Sequence, residues 1–252
     1  MNTIGRTARI FNRIVGFLGS LLIVVMLLYG GYSLWSNIVI NHRAFVSDEL
    51  LKYKPTSDDG DNELSFEELR EINPDVVAWL TVDDTNIDYP VVIGENDMYY
   101  VNRDVFGEYS VSGAIFLSCM NSCDFSDEYN MVYGHHMDNG AMFGNIMDYL
   151  DEEYYEDHLT GTLYTDDKTY AISVFAVIQC DAYDEVVYGL SDFDSDIFME
   201  YLEDNALFYD KEESEKSEKI IAMSTCASAL TNGRVVVVGR LYEKNSERRE
   251  EQ

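Results

Sequence analysis

The sequence KIIAMSTCASALTNGRVVVVGRL covers residues 219–241 and contains two apolar runs typical of neighbouring β-strands. The first run begins at Ile220 and ends at Cys226, and Arg234 opens the second run, which continues to Val238. A thiol at the end of one strand, with an arginine entering the next, places a nucleophile beside a fixed positive charge. Such a charge favours the thiolate over the thiol and can stabilise an oxyanion. Cys226 and Arg234 are therefore candidate catalytic residues.

A thiolate nucleophile also needs a partner that transfers protons, and the chain has four histidines, at positions 42, 135, 136 and 158. His135 and His136 follow a short apolar run, Asn130 to Tyr133, and then Gly134. Their imidazoles are therefore predicted at a strand end, where active-site groups often lie. A cysteine, histidine or arginine taken alone is more often structural than catalytic. The combination is what indicates a catalytic site.

Short runs rich in β-branched and aromatic residues recur along the chain from residue 76 onward, bounded by Asp, Asn, Gly and Ser. Eight such runs predict a mainly β fold, a closed or nearly closed eight-stranded β-barrel with peripheral helices. About 180 residues are ample for one hydrophobic core. The predicted strands are Val76–Val82, Ile87–Val92, Gly113–Leu117, Asn130–Tyr133, Gly161–Thr165, Tyr170–Ile178, Lys219–Ser224 and Arg234–Leu241.

Three helices are predicted around the barrel. Ser65 and Glu68 have capping-box spacing and open a short helix with Leu69 and Ile72 on its apolar side. The acidic segment 148–158 is predicted to form a second helix. A third follows Ser195 and is amphipathic, with apolar residues spaced for one face at Ile197, Phe198, Tyr201 and Leu202.

A run of 22 uncharged residues from Ile14 to Trp35 matches the ~20 residues that span a bilayer. Three arginines (Arg6, Arg9 and Arg13) precede it, and the first acidic residue is Asp48. The positive-inside rule then leaves the N-terminus in the cytoplasm and the remainder outside the cell. A cleaved signal peptide is the alternative, but its apolar region is normally shorter and no small-x-small cleavage site follows the run. A retained signal anchor is favoured.

These features divide the chain into five predicted regions. Residues 1–13 form a cytoplasmic N-terminus, and 14–35 a transmembrane signal anchor. Residues 36–62 form a juxtamembrane helix and a polar linker, the linker from Lys54 to Asn62. Residues 63–243 form an extracellular catalytic domain, and 244–252 a charged tail.

The chain is strongly acidic, with a formal net charge of −30, and all 47 Asp and Glu residues follow the apolar run. Nucleic acid is an unsuitable partner for such a surface. The charge serves solubility, attracts cationic partners or binds calcium through clusters such as residues 151–153. No segment has the spaced oxygen ligands of an EF-hand. We therefore expect no required metal and no cofactor.

Four cysteines in an exported chain could form two disulfides, but a nucleophilic Cys226 must stay free. Cys119 and Cys123 could then form a disulfide, or a zinc site with nearby histidines. The zinc alternative is weaker, because the spacing is not that of the usual close pair. With Cys180 included, an odd number of cysteines remains, so at least one further thiol should be free.

From Asn73 to Glu243 the sequence resembles the class B sortases. The motifs that carry the resemblance are highly specific together, although Cys226 and Arg234 alone would not be. The family often has Thr-Leu-x-Thr-Cys at its nucleophile, where this chain has Ala222 and Met223 in the first two places. It also commonly has an acid just after the nucleophile, where Ala227 and Ser228 stand here. The matching motifs are NPDVVAWL (73–80), NIDYPVV (86–92), GAIFL (113–117), YGHHM (133–137) and STC (224–226) with Arg234.

The resemblance implies that Cys226 is the nucleophile, His135 the general acid/base and Arg234 the group that positions substrate and stabilises the oxyanion. His136 would then be a neighbouring residue rather than the proton-transfer group. We expect a substrate-binding role for a further set of residues around this centre, namely Ser224, Thr225, Tyr133 and His136.

The implied function is that of a cysteine transpeptidase. It would cleave a C-terminal sorting signal of secreted proteins through a thioacyl-enzyme and transfer them to an amine of a peptidoglycan cross-bridge or its lipid-linked precursor. Three alternatives share parts of this pattern. A pilin-polymerising sortase would use a pilin lysine as acceptor, and a hydrolytic cysteine peptidase would use water. A non-catalytic, membrane-tethered binding domain would leave Cys226 unreactive.

Overall fold

The computed structural model describes residues 3–55, 66–216, 219–226 and 232–244. The chain forms two compact units, Met1–His42 and Arg43–Gln252. Nearly all of the first unit is one helix, α1 (Thr3–Ala44), which ends just inside the second. By length and composition, residues Arg9–Ile40 of this helix could cross a membrane, with a mean hydropathy of 2.3. The span predicted from the sequence lies within this range.

The second unit is a closed, mixed β-barrel of eight strands, as the sequence predicts. Around the barrel the strands follow the order β5-β1-β2-β3-β4-β8-β9-β6, and the β5–β6 pairing closes it. The β2–β3 and β4–β8 pairs are parallel, and the others are antiparallel. The strands are β1 (Val76–Val82), β2 (Asp88–Ile93), β3 (Ile115–Leu117), β4 (Tyr129–Tyr133), β5 (Thr160–Thr165), β6 (Thr169–Asp181), β7 (Phe208–Tyr209), β8 (Ile220–Cys226) and β9 (Gly233–Glu243).

β7 is a two-residue strand that the sequence analysis does not predict. It pairs antiparallel with residues 176 and 177 of β6, outside the barrel. Two residues are too few to show the alternation by which a strand is recognised. All eight predicted strands are present, with ends shifted by a few residues, the largest extension being that of β6 to Asp181.

Alternating side chains divide the core into an inner and an outer layer. Ile221 and Met223 of β8 pack inside the barrel with residues from the other seven strands. Ile220 and Ala222 pack outside it, under α6. A third cluster covers the outer side of β1 and β2 and includes Trp79. Successive side chains of a strand point to opposite faces, so a strand that is buried on both faces contributes alternate residues to the two layers.

Helices fill the connections between strands. They are α2 (Asp48–Leu51), α3 (Phe66–Ile72), α4 (Glu152–Asp157), α5 (Glu185–Tyr188), α6 (Ser195–Asn205) and α7 (Lys211–Ser214), with 3₁₀-helices at Gly144–Leu150 and Leu190–Asp192. The predicted helix after Ser195 is α6, which buries Phe198 and Leu202 but leaves Ile197 exposed. The helix predicted from the Ser65 capping pattern is α3, and Ser65 itself lies outside the described residues. α3 buries Leu69, whereas Ile72 is exposed.

The single helix predicted for residues 148–158 is wrong. A 3₁₀-helix ends at Leu150, Asp151 adopts an extended conformation, and α4 begins at Glu152. The Asp151 carboxylate accepts a hydrogen bond from the main-chain N–H of Tyr154, so Asp151 is the N-cap of a new helix. Aspartate favours this capping position over a helix interior, which explains the break. Most of the predicted linker, and the tail beyond Lys244, lie outside the described residues.

Candidate active site

The ends of β8 and β9 bring the candidate nucleophile and the candidate arginine together. Cys226, the last residue of β8, lies directly opposite Arg234 in the antiparallel ladder. Arg234 in turn lies directly opposite Cys180 of β6 on its other side. Opposing residues in such a ladder have Cα atoms about 4.5–5.5 Å apart. The register alone therefore makes Cys226 and Arg234 immediate neighbours.

β4 carries the histidines to the same end of the barrel. It runs parallel to β8, with Tyr133 opposite Ser224. The main-chain N–H of Gly134 donates to the Ser224 carbonyl at 3.2 Å, so the pairing extends one residue beyond the strand. His135 and Cys226 are each two residues beyond the Tyr133–Ser224 pair. Histidine, cysteine and arginine thus follow one another across three adjacent strands.

The His135 ring is half-buried and held by its neighbours. Its Nε2 lies 2.8 Å from the Val101 carbonyl oxygen. A carbonyl can only accept a hydrogen bond, so Nε2 is the protonated nitrogen in this arrangement and Nδ1 is the nitrogen left for proton transfer. Gly113, with φ at +63°, passes close to the ring, and a Cβ built there would lie 3.1 Å from its Cδ2.

His136 has a different environment. Its Nε2 lies 3.3 Å from an Asp138 carboxylate oxygen. Its Nδ1 is buried and has no hydrogen-bond partner among the described residues. Tyr133 of β4 packs with the outer cluster, whereas Val132 packs inside the barrel. By this alternation His135 continues the outer side of the strand and His136 the inner side.

Both histidines belong to one tight hairpin, residues 135–143, which we call the histidine hairpin. His136 and Met142 form an isolated antiparallel bridge. The Phe143 N–H donates to the His135 carbonyl at 3.0 Å. The Phe143 ring packs against Gly134, where an added Cβ would lie 2.7 Å from the ring. Glycine is therefore required at position 134 for the hairpin to fold against the strand end.

Arg234 is half-exposed. One of its Nη atoms donates to the Gly233 carbonyl at 3.1 Å. No carboxylate forms an ion pair with it in the part of the chain that the structure describes. An arginine presents up to five N–H donors in a planar fork. Arg234 can therefore offer several donors and a full charge to an anionic group.

Tyr188 of α5 lies beside Ser224 and Tyr133. The sequence analysis did not predict its presence at the site. Its hydroxyl lies 2.8 Å from Ser224 Oγ, and the Cys180 thiol lies 3.9 Å from the same hydroxyl. The Tyr188 ring stacks on Tyr133, with 6.4 Å between centroids. Burial raises the pKa of Cys180 to about 11, although the Tyr188 hydrogen bond and the Arg234 charge act to lower it. Cys180 is thus a poor nucleophile at neutral pH.

A second polar group that the sequence did not indicate lies beside Tyr133. The Asp97 carboxylate accepts hydrogen bonds from the Ser118 hydroxyl at 3.1 Å and from the Cys119 N–H at 2.7 Å. Burial raises the pKa of the Tyr133 hydroxyl, and the negative charge of Asp97 raises it further. The pairing of Asp97 with Ser118 spans 21 residues, so no local motif reveals it.

The three remaining cysteines are free thiols, with Cys119 and Cys123 exposed and Cys180 partly buried. The Cys119–Cys123 disulfide considered from the sequence is therefore not formed. Among the described residues, no group of three or more His, Cys, Asp or Glu side chains could hold a metal ion.

The chain is similar in sequence and in structure to several known proteins. No family model matches the chain. A Streptococcus pyogenes class B sortase involved in pilus biogenesis has 34% sequence identity to this chain and a TM-score of 0.65. The match covers 72% of this chain and 100% of the Streptococcus chain. The chain belongs to the class B sortases. Sortase B of Clostridium perfringens has 30% identity and a TM-score of 0.64, over 71% of this chain and 100% of that one. Sortase B of Listeria monocytogenes is 27% identical over 92% of this chain and 100% of the relative.

The remaining predicted site residues of this sortase are placed as follows. Ser224 and Thr225 are each 2% exposed. The Thr225 hydroxyl is buried and has no hydrogen-bond partner within the described part of the chain. Tyr133 and His136 are half-buried. Their substrate-binding role stays a prediction. The family's acidic position after the nucleophile corresponds to Ala227 and Ser228, which lie outside the described residues.

Proposed function

We propose that this sortase is a cysteine transpeptidase that cleaves a C-terminal sorting signal on secreted proteins and transfers them to an amine of the peptidoglycan. The succession of His135, Cys226 and Arg234 across β4, β8 and β9 carries the proposal. These residues would supply a proton-transfer group, a nucleophile and a positive charge, which are the parts that acyl transfer through a thioester requires. Membership of the class B sortases supports the same chemistry.

In the first half of the reaction, the Cys226 thiolate attacks the carbonyl carbon of the scissile peptide bond. The negative charge that develops on the carbonyl oxygen is stabilised by Arg234. The carbon–nitrogen bond then breaks, and the His135 imidazolium donates its proton to the departing amine. The products are a thioester on Cys226, a free amine and a neutral imidazole.

In the second half, the acceptor amine attacks the thioester carbonyl carbon. His135 takes a proton from this amine, a new amide bond forms, and Cys226 leaves as the thiolate. The imidazolium–thiolate pair is thereby restored. Water in place of the amine would give hydrolysis, so the enzyme must favour amine over water. Tyr133, Ser224, Thr225 and His136 are the residues we assign to holding the sorting signal.

The N-terminal helix supports a membrane-anchored enzyme. With Arg6, Arg9 and Arg13 ahead of the apolar run, the positive-inside rule leaves the N-terminus in the cytoplasm and the barrel outside the cell. A precursor still held in the same membrane by its own tail would meet the enzyme at high local concentration. The anchor would thus favour encounter with both the precursor and a lipid-linked acceptor.

The test is cleavage of a panel of quenched sorting-signal peptides by the full chain in lipid nanodiscs, with and without an amine acceptor. Cys226→Ala, His135→Ala and His136→Ala are compared with the parent. We expect cleavage to require Cys226 and His135 and to tolerate loss of His136, with the product shifting to the amine adduct when acceptor is present. Cleavage by Cys226→Ala at the parent rate would refute the mechanism, and hydrolysis that no amine diverts would indicate a peptidase.

A pilin lysine as acceptor is the second candidate. It is supported by the 34% identity with the Streptococcus pyogenes sortase involved in pilus biogenesis. The two functions differ only in the acceptor. A competition between a lysine-containing pilin peptide and a cross-bridge peptide, read as the ratio of the two adducts, separates them.

A further inference from the structure

The segment that links the N-terminal helix to the barrel is packed on the barrel. We call residues 43–55 the docked segment. Ala44 is 2% exposed and belongs to the inner core cluster, and Leu50 is 8% exposed and packs with Trp79 and other residues of the third cluster. The segment belongs to the same compact unit as the barrel. It is therefore part of the fold.

Two consecutive residues of β2 bind this segment. Asp88 forms an ion pair with Lys54 at 2.8 Å, and the same carboxylate accepts a hydrogen bond from the Trp79 indole N–H at 2.8 Å. The hydroxyl of the next residue, Tyr89, donates to the Ala44 carbonyl at 3.1 Å. The docked segment is thus held at both of its ends.

Tyr89 also contacts the histidine hairpin. Its hydroxyl accepts a hydrogen bond from the main-chain N–H of Met142 at 2.9 Å. Met142 is 3% exposed and has a φ of +54°, a conformation that is rare and costly for a residue other than glycine. A buried N–H left without a partner is also costly. The Tyr89 hydroxyl therefore supports the hairpin at its most strained residue.

The main chain at Met142 is connected to that at His135 by contacts within the hairpin. Met142 is the bridge partner of His136, and the next residue, Phe143, donates its N–H to the His135 carbonyl. One hydroxyl thus lies between a carbonyl of the docked segment and the main chain that carries His135. Burial raises the pKa of Tyr89 to about 12, so the hydroxyl stays protonated and able to donate at physiological pH.

We propose that Tyr89 is a positioning residue for His135, and that it makes proton transfer depend on the docking of residues 43–55 against the barrel. The proposal rests on the proposed function, because it takes His135 as the general acid/base. If the docked segment leaves the barrel, the Tyr89 hydroxyl loses the Ala44 carbonyl that orients it to accept from the Met142 N–H. The Met142 conformation is then less well supported, and the main chain that carries His135 is held less firmly.

The test compares Tyr89→Phe with Tyr149→Phe in the full chain in lipid nanodiscs. Tyr149 is a matched control, because it is fully buried and its hydroxyl also donates to a main-chain carbonyl, that of His158 at 2.6 Å. We expect Tyr89→Phe to lower kcat about tenfold while KM stays within about twofold, since misplacing a catalytic group affects the chemical step. Tyr149→Phe should change neither value beyond about twofold.

A second variant approaches the contact from the other end. Ala44→Asp places a carboxylate at a buried position and should displace the docked segment while Tyr89 and every residue of the hairpin stay unsubstituted. It should reproduce the loss of kcat. Equal kcat in Tyr89→Phe and parent, or equal losses in Tyr89→Phe and Tyr149→Phe, would overturn the proposal.

Amide hydrogen exchange provides a readout that needs no activity. In Tyr89→Phe the amides of Met142 and Phe143 should exchange at least about tenfold faster than in the parent, because local opening of the hairpin becomes easier. Unchanged exchange overturns the coupling even if the enzyme is active. If the parent cleaves no peptide, the proposed function fails, and exchange still decides whether Tyr89 supports the hairpin.

Discussion

The Tyr188 hydroxyl lies 2.8 Å from Ser224 Oγ, joining α5 to β8 two residues before Cys226. We expect Tyr188→Phe and Ser224→Ala each to lower the free energy of unfolding by about 1 kcal/mol, and the double variant to lose less than the sum, because one hydrogen bond is removed in all three. Urea unfolding measures this. Tyr183→Phe, at an 80% exposed position of the same connection, should have no effect. Additive losses would show that the two hydroxyls do not interact.

Substitutions at Arg234 test whether the reaction depends on the positive charge of this side chain or on its planar shape. Arg234→Gln should lower kcat by about 10²- to 10³-fold, as expected for loss of a group that stabilises an oxyanion. Arg234→Lys should fall between the parent and Arg234→Gln, because it keeps the charge but loses the planar fork. Steady-state kinetics with a cleaved peptide measures both.

Lys211→Gln is the matched control for removal of a cation, since Lys211 is exposed and pairs with Glu203. A kcat for Arg234→Gln within the scatter of this control would remove Arg234 from the mechanism.

Cys180 should react slowly with alkylating reagents although it lies directly opposite Arg234. Its pKa is raised to about 11, so below that pH its thiolate fraction is smaller than that of an ordinary thiol. In Cys226→Ala, iodoacetamide at pH 8 should label the exposed Cys123 well before Cys180, and labelling of Cys180 should accelerate as the pH approaches 11. Peptide mass spectrometry follows each site.

Denaturation in urea provides the internal reference for this experiment, because it removes the burial that raises the pKa of Cys180. The labelling rates of Cys180 and Cys123 should then converge. Equal labelling rates of Cys180 and Cys123 in the folded protein at pH 8 would contradict the burial of Cys180.

Substitution of Gly134 should destabilise the protein, because neighbouring side chains leave no room for a Cβ. In Gly134→Ala the new methyl group would lie 2.5 Å from Ile115 Cδ1 and 2.7 Å from Phe143 Cγ. We expect a loss of about 1–3 kcal/mol in stability, as overpacking of a core costs. Thermal or urea unfolding measures it.

Phe143→Leu gives the matched test, because it removes ring atoms from the contact with Gly134. The double variant should lose less stability than the two single changes added together. Strict additivity would show that the methyl group does not meet the ring.

Local patterns predict the barrel well because each strand carries its own signal. Residues such as Val235 to Val238 can hardly be anything but a buried strand, and Gly134 correctly marks the end of β4 before the histidines. The pattern fails where a single residue changes the local preference. In the sequence, Asp151 resembles the other acidic residues of the predicted helix, but its side chain caps the N-terminus of a separate helix, α4.

Contacts between distant residues account for what could not be predicted at the site. The sequence identifies Cys226, His135 and Arg234 as a combination, and the strand order explains why they meet. Tyr188, Asp97 and the Tyr89 contacts have no local signature, because each depends on which segments pack together. For Tyr89, the partners lie 45 residues before it and 53 residues after it.

The parallel pairing of β4 with β8 affects the order in which the molecule becomes reactive. Ninety residues separate Asn130 from its contact at Ile220, and contacts between residues so far apart form slowly, after the intervening chain has collapsed. β8 and β9 also follow β4 in the chain and are synthesised after it. His135 is therefore made before the strands that carry Cys226 and Arg234. Cys226 and Arg234 can lie beside His135 only once β8 has paired with both β4 and β9, so the arrangement of these three residues depends on the long-range part of the fold.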